Sequence, residues 1–229
     1  MARRLARLTL DNLGDLPIGC QSCVFWELDP VRRQRAADAG ECGAEKEAWV
    51  SATLLEWGSC GRVAYVDGDP AGYVLYAPAV FLPGVDAFPT APVSEDAVVL
   101  ATAVVLPEYA GQGLGRVLMQ TVVKDLVKRG GIRAVESFGE VPGRRSTDDN
   151  GHAFESPSCV LPADYLLGVG FRTHRPHARY PRMRMDLRSV LTWRGELEAA
   201  FDRLLSPVRH RSPAVRPPTA HTPAHRTLD

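Results

Sequence analysis

The sequence predicts an α+β domain, and three observations carry that prediction. An apolar run from Ala97 to Leu106 breaks at Pro107, turns through three glycines and resumes as a helical stripe that lasts to Arg129. The runs Arg62–Asp67 and Ala71–Tyr76 flank a Gly-Asp-Pro turn and read as a hairpin. A tryptophan-rich stretch from 16 to 60 precedes both with helix-like patterning.

In chain order, residues 5–10 alternate as an opening strand. The helix-like stretch breaks at Asp29-Pro30 and at Gly40–Gly43; its last part, Ala44–Trp57, carries Trp49 and Trp57 and stops at Gly58. After the hairpin comes a Pro-rich loop, 78–94, then the strand 97–106, a helix over 113–129 and a strand over Ile132–Phe138. In the helix Leu114, Val117, Leu118, Val122 and Leu126 make the stripe, which leaves Lys124, Asp125, Lys128 and Arg129 for water. A long polar loop, 139–161, leads to a short helix at Ala163–Val169 and to two strands on either side of His177–Pro181. A last helix is expected over Val190–Leu205. Residues 206–229 hold five prolines and three of the six histidines with almost nothing apolar, and are expected to be a disordered tail. The domain organisation expected is 1–188 as one domain, 189–205 as a helical extension and 206–229 as the tail.

Composition narrows the function classes. A chain of 229 residues with 45% hydrophobic content builds a core of ordinary size. Formal net charge is zero, so the overall balance points to neither nucleic acid nor an anionic membrane. Lysine occurs only at 46, 124 and 128; the arginine skew fits a GC-rich genome and carries no function. The longest apolar run is too short to span a bilayer and no secretory signal follows Met1, so a cytoplasmic protein with reduced thiols is expected.

Gly111, Gly113 and Gly115 sit where the turn becomes the helix. Unpaired N–H groups and the helix dipole favour an anion there, and glycine lets backbone approach a ligand closely. The reading is a pyrophosphate cradle. It is not a Walker loop, since no Gly-Lys-[Ser/Thr] follows. Nor is it the dinucleotide fingerprint, whose third glycine is missing.

The segment Ala110-Gly-Gln-Gly-Leu-Gly115, preceded by Pro107-Glu-Tyr109, resembles motif A of the GNAT acetyltransferases, [RQ]-x-x-G-x-[GA], with Ala110 in place of the leading Arg or Gln. Ala163-Asp-Tyr-Leu-Leu-Gly-Val-Gly-Phe171 resembles the family's later segment, A-x-x-L-Y-x-x-x-G-F. The element order matches as well, over roughly 5–188. The resemblance implies a GNAT-type mixed central sheet with helices on both sides. It implies acetyl-CoA as acyl donor, with pyrophosphate on the amides of Gly111, Gln112, Gly113, Leu114, Gly115 and Arg116. The pantetheine arm is expected to pair like an extra strand with Ala103, Val104 and Val105, where family members splay two strands and a backbone N–H polarises the thioester carbonyl. An amine acceptor, a small molecule or a protein amine, then attacks directly after losing its proton. Cys20–Pro30 further resembles a segment of actinobacterial members of the family.

Candidates for the base are Glu95, Asp96, Glu136 and Glu140, with Glu136 leading because its strand is expected to face the acceptor groove. Aligned on Gly170-Phe171, the family's acid tyrosine falls on Leu166; Tyr165, one residue earlier, is the candidate acid and is about 100° away on a helix. The loop 139–161 carries Arg144, Arg145, Asp148, Asp149, His152 and Glu155, as a lid or acceptor-binding loop would. Cys20, Cys23, Cys42 and Cys60 invite a zinc or redox reading, but the second pair is separated by 17 residues rather than two, so packing is expected and no metal. Cys159 lacks a base nearby in sequence. The expected function is an N-acetyltransferase, monomeric or homodimeric. Its alternatives are a non-catalytic acyl-CoA sensor, favoured by Ala110 and Leu166, and a zinc-stabilised interaction protein built on the four cysteines.

Overall fold

The structure, a computed structural model, describes residues 2–141 and 159–188. The N-terminal helices begin and end where side chains dictate. Helix α1 is a single turn, Ile18–Gln21, and α2 runs over Pro30–Ala39. Asp29 caps α2 by accepting from the amides of Val31 and Arg32, Pro30 fills the first helical position, and Gly40 closes it in the left-handed region. Helix α3 follows at Cys42–Glu56.

The strands are β1 Arg3–Arg7, β2 Gly61–Val66, β3 Asp69–Ala77, β4 Ala97–Val105, β5 Ala134–Glu140, β6 Leu161–Pro162, β7 Arg172–Arg175 and β8 Arg182–Asp186. The remaining helices are α4, Leu114–Arg129, and α5, Ala163–Gly168. The strands form one mixed sheet in the order β1-β2-β3-β4-β5-β8-β7, with β6 paired to β5. The β4–β5 and β5–β6 pairs are parallel and the rest antiparallel.

Each face of the sheet carries its own core. On one, Leu118, Val122 and Leu126 of α4 and Leu166 of α5 cover Val74, Tyr76, Leu100 and Met183. On the other, Val50 of α3 packs with Trp26, Leu82 and Phe88 over Leu75, Val99 and Phe138. Trp26 stacks on Phe88 with ring centroids 5.1 Å apart, and Phe88 lies 4.5 Å from Phe138. This is the expected α+β architecture, a mixed sheet with helices on both sides.

Four local readings change. The opening strand is Arg3–Arg7, because Asn12 accepts from the amide of Thr9 and turns the chain into a 3₁₀ turn over Leu10–Asp15. Val24–Leu28 is an irregular turn rather than helix. The amide of Gly84 donates to the carbonyl of Trp26, at an approach so close that a Cβ on Gly84 would lie 2.3 Å from the Phe25 carbonyl. The hairpin turns at Asp67-Gly68, both left-handed, and Pro70 lies within β3.

The fourth concerns Asp125 and Arg129, which are not left for water. Asp125 accepts from Arg62 at 2.8 Å, from the Tyr76 hydroxyl at 2.8 Å and from Arg129 at 2.9 Å. Arg129 also donates to the carbonyls of Trp57 and Ser59 and lies over the Trp57 ring. Both residues sit at the edge of the apolar stripe, where partners from β2 and β3 reach Asp125 and the segment between α3 and β2 reaches Arg129. The helix Val190–Leu205, the tail 206–229 and most of the loop 139–161 lie outside the described residues. Among the described residues no helix is long and apolar enough to cross a membrane.

Candidate functional site

The site begins where β4 leaves β5. Strand β4 pairs with β3 from Val99 to Val105, but with β5 only over Ala97–Val99, opposite Ala134–Glu136. The last link between them is the Ser137 hydroxyl, which donates to the Leu100 carbonyl at 2.8 Å. A register shift against β3 makes Ala101 an extra residue, and a bulge of that kind bends its strand. From Ala101 to Val105 one edge of β4 therefore has no strand partner among the described residues. Ala103, Val104 and Val105 all lie on this open edge, which can accept an extended amide chain as an added strand.

The chain then passes a 3₁₀ turn at Pro107–Tyr109 and enters the glycine loop. Gly111 and Gly113 hold φ of 75° and 76°, the left-handed region, and Gly113 is the N-cap of α4. The first helical bond runs from the Val117 amide to the Gly113 carbonyl, so the amides of Leu114, Gly115 and Arg116 have no intrahelical acceptor. No atom lies within 4 Å of where a Cβ on Gly111 or Gly113 would be; the space in front of the loop is open. Gln112 is tied down at both ends: its side chain donates to the Glu108 carbonyl at 3.4 Å, and its own carbonyl accepts from Arg3 at 3.2 Å. Arg3 places a cation beside the loop from β1, 109 residues away in sequence, and no local pattern marks it.

Tyr165 comes to the same place. A Cβ on Gly115 would lie 3.2 Å from the Tyr165 hydroxyl, so this phenol stands over the first turn of α4. Burial pushes its pKa up and keeps it protonated. The neighbouring Leu166 is wholly buried in the core. The swap of Leu and Tyr relative to the family pattern thus sends the leucine inward and the tyrosine to the glycine loop.

Glu136 lies opposite Val99, where β4 and β5 part, but it is not an open carboxylate. It is fully buried, and both of its oxygens have partners: one faces Arg184 at 3.2 Å and His174 at 4.0 Å, the other Arg182 at 3.3 Å and the Ser94 amide at 3.2 Å. Arg184 also grips Asp96 through two bonds of 2.9 and 3.0 Å and holds that carboxyl below the usual carboxylate range. Glu140 pairs with Arg179 at 3.3 Å. Arg144, Arg145, Asp148, Asp149, His152 and Glu155 lie outside the described residues.

On the sheet face opposite α4, a cavity of about 140 Å³ opens beside β4. Thr102 and Val104 form one wall, and Cys20, Cys23, Cys159 and Tyr73 stand around them. Glu27 and Lys46 complete it as a buried ion pair, Lys46 also donating to the Cys23 carbonyl at 2.9 Å. The sulfurs of Cys23 and Cys159 are 2.9 Å apart. Cys42 packs with Val24, Leu28 and Ala36 instead, and Cys60 is buried in the Trp26 core, its thiol pushed up to about 11 by burial. Among the described residues no group of three or more His, Cys, Asp or Glu is placed to hold a metal ion. Sequence reasoning missed this cavity, because its walls come from five separate segments.

Three comparisons bear on these features. The model of the acetyltransferase (GNAT) family matches residues 23–147. Among solved structures, PaiA N-acetyltransferase from Thermoplasma acidophilum, in complex with coenzyme A, aligns with a TM-score of 0.50 at 11% identity, covering 81% of this chain and 99% of that one. A GNAT-family protein from Desulfovibrio desulfuricans aligns with a TM-score of 0.48 at 20% identity over 81% and 99%. No curated protein matches the sequence.

Proposed function

The chain belongs to the acetyltransferase (GNAT) family, whose members draw the acyl group from acetyl-CoA, and from that premise we propose that it is an N-acyltransferase that moves acetyl to a primary amine by direct attack. The observation that carries the reading is the continuity of one unpaired backbone surface. It runs from the open edge of β4 at Ala103–Val105, through the left-handed Gly111 and Gly113, to the first-turn amides of α4. An acyl-CoA has a matching outline, an extended diamide arm ending in a pyrophosphate.

In this reading the amides of Gly111 to Arg116 hold the pyrophosphate, with Arg3 supplying charge that Ala110 lacks. The backbone of Ala103, Val104 and Val105 pairs with the pantetheine arm and sets the thioester at the mouth of the β4–β5 opening. The Tyr165 hydroxyl, kept protonated by burial, donates to the donor beside Gly115. The amine enters from the opposite face through the cavity walled by Thr102 and Val104. Glu136 acts as a positioning residue, because Arg182, Arg184 and the Ser94 amide already occupy its oxygens. The ammonium proton goes instead to a group of the cavity. Cys23, whose thiol is lowered to about 7 chiefly by its bond from Cys159, has the proton affinity suited to neutral pH.

The likeness of Cys20–Pro30 to a segment of actinobacterial members supports, in the same reading, an actinobacterial-type member, which names no acceptor. A second reading, an acyl-CoA sensor, is favoured by one observation: the family's tyrosine position is Leu166, sunk in the core. Release of free CoA from acetyl-CoA in the presence of a panel of primary amines separates the two. Amine-dependent release supports the enzyme; binding of acetyl-CoA without release from any amine supports the sensor.

A further inference from the structure

We propose that Cys23 and Cys159 form a peroxide-oxidisable dithiol, a modification site that closes to a disulfide across the wall of the cavity. The sulfurs are 2.9 Å apart, with one thiol donating to the other, and they belong to segments 136 residues apart. A disulfide needs about 2.05 Å, so bond formation requires a sulfur displacement of under about 1 Å. The surroundings hold both partners in place. The Trp26 indole N–H donates to the Cys159 carbonyl at 3.0 Å, and Trp26 itself packs against Phe88 and Phe138, with ring centroids 5.1 and 6.1 Å away. On the other side the buried Lys46 ammonium donates to the Cys23 carbonyl.

The chemistry assigns different roles to the two sulfurs. The bond from Cys159 stabilises the Cys23 thiolate more than burial and the nearby Glu27 oppose it, and Lys46 adds to the effect. A thiolate, not a thiol, attacks a peroxide. Cys23 is half-buried at the cavity, so a small hydroperoxide reaches it. In the first step the Cys23 thiolate attacks the hydroperoxide, an S–O bond forms, the O–O bond breaks, and the alkoxide leaves as alcohol after taking a proton. In the second step Cys159 attacks the Cys23 sulfenic acid; the S–S bond forms, the S–O bond breaks and water leaves with the Cys159 proton. Two thiols and one hydroperoxide give one disulfide, one alcohol and one water. The nearer sequence partner, Cys20, is the natural competitor in a Cys-x-x-Cys segment, yet it sits on α1 with its sulfur toward Tyr73. The proposal stands on the two sulfurs and holds whichever acceptor the cavity takes.

The test is peptide mapping of the full chain after brief treatment with hydrogen peroxide and alkylation of residual thiols. The expected result is the loss of two alkylatable thiols, Cys23 and Cys159, and a single cross-linked peptide joining them. In Cys159→Ser, Cys23 is expected to stop at the sulfenic acid and be trapped by dimedone; in Cys23→Ser, Cys159 is expected to stay alkylatable. A cross-link between Cys20 and Cys23, or a Cys23 that remains fully alkylatable under oxidation that consumes peroxide elsewhere, overturns the assignment. Thermal melting of both variants guards against misfolding, and dimedone trapping in Cys159→Ser reads the chemistry without requiring the disulfide.

Discussion

The Tyr165 hydroxyl stands over Gly115, 3.2 Å from where a Cβ on that glycine would be. A residue from the last third of the chain thereby closes over the loop that opens α4, and only glycine leaves it room. Gly115→Ala is expected to push the phenol aside by a few tenths of an ångström. Acetyl-CoA affinity should then fall several-fold, about 1 kcal/mol, with little change in melting temperature. Tyr165→Phe should weaken the donor by a similar factor, and the double variant should be little worse than either single one, since both disturb one contact. Additive losses measured by calorimetric titration would separate the two residues.

Asp125 ties α4 to the sheet, and its removal is a stability experiment. Asp125→Asn keeps the shape but removes the charge that faces Arg62 and Arg129, at a cost of about 2–3 kcal/mol for charged hydrogen bonds. Urea titration checks the size.

The same carboxylate predicts a pH dependence. Burial raises the pKa of Asp125, but the Tyr76 hydroxyl and the two guanidinium groups lower it by more, and the net shift is downward. A folded pKa below the unfolded value means that the stabilisation is complete above the ordinary carboxylate pKa of about 4 and is lost as pH falls through the folded value. Wild-type stability should therefore drop more steeply than that of Asp125→Asn on acidification below about pH 4. Parallel curves would exclude Asp125 as a source of the acid limb.

Alkylation rates should rank the thiols by environment. Cys23 is lowered to about 7 and Cys60 is raised to about 11, so the iodoacetamide rate at Cys23 should rise with pH around 7 while Cys60 stays inert through neutral pH. Cys159→Ala removes the largest cause of the Cys23 shift and should move its profile to higher pH. A Cys23 profile centred near the ordinary thiol value of about 8.5 would contradict the paired geometry.

The parts of this fold legible in the sequence are those whose cause is local. Strand 97–106, the glycine loop and helix 113–129 carry their own periodicity and stop signals, and the structure holds β4 and α4 within a residue or so of those limits. What stayed hidden depends on partners far apart in the chain. Asp125 looked solvated until Arg62 and Tyr76 arrived from the sheet; Glu136 looked like an open carboxylate until β8 brought Arg182 and Arg184. Cys159 gained a thiol neighbour from Cys23, and the Gln112 carbonyl gained Arg3. Val24–Leu28 departs from helix for the same reason, since Gly84 and Lys46 hold that turn from outside it.

In the proposed function the loop at the start of α4 and the open edge of β4 bind an acyl-CoA. Thermal unfolding with and without acetyl-CoA, on wild type and on Gly113→Glu, measures this binding. Gly113 has open space before it but a φ of 76°, so any side chain there carries strain of about 1–2 kcal/mol and a glutamate adds a charge facing phosphate. Gly113→Ala supplies the strain alone. Wild type at a hundredfold excess over Kd is expected to gain about 2.7 kcal/mol, Gly113→Ala to keep part of that gain, and Gly113→Glu to fold and gain none. An unchanged wild-type melting temperature at high acetyl-CoA would mean that the chain does not bind it, and an equal rise in Gly113→Glu would mean that it binds away from this loop.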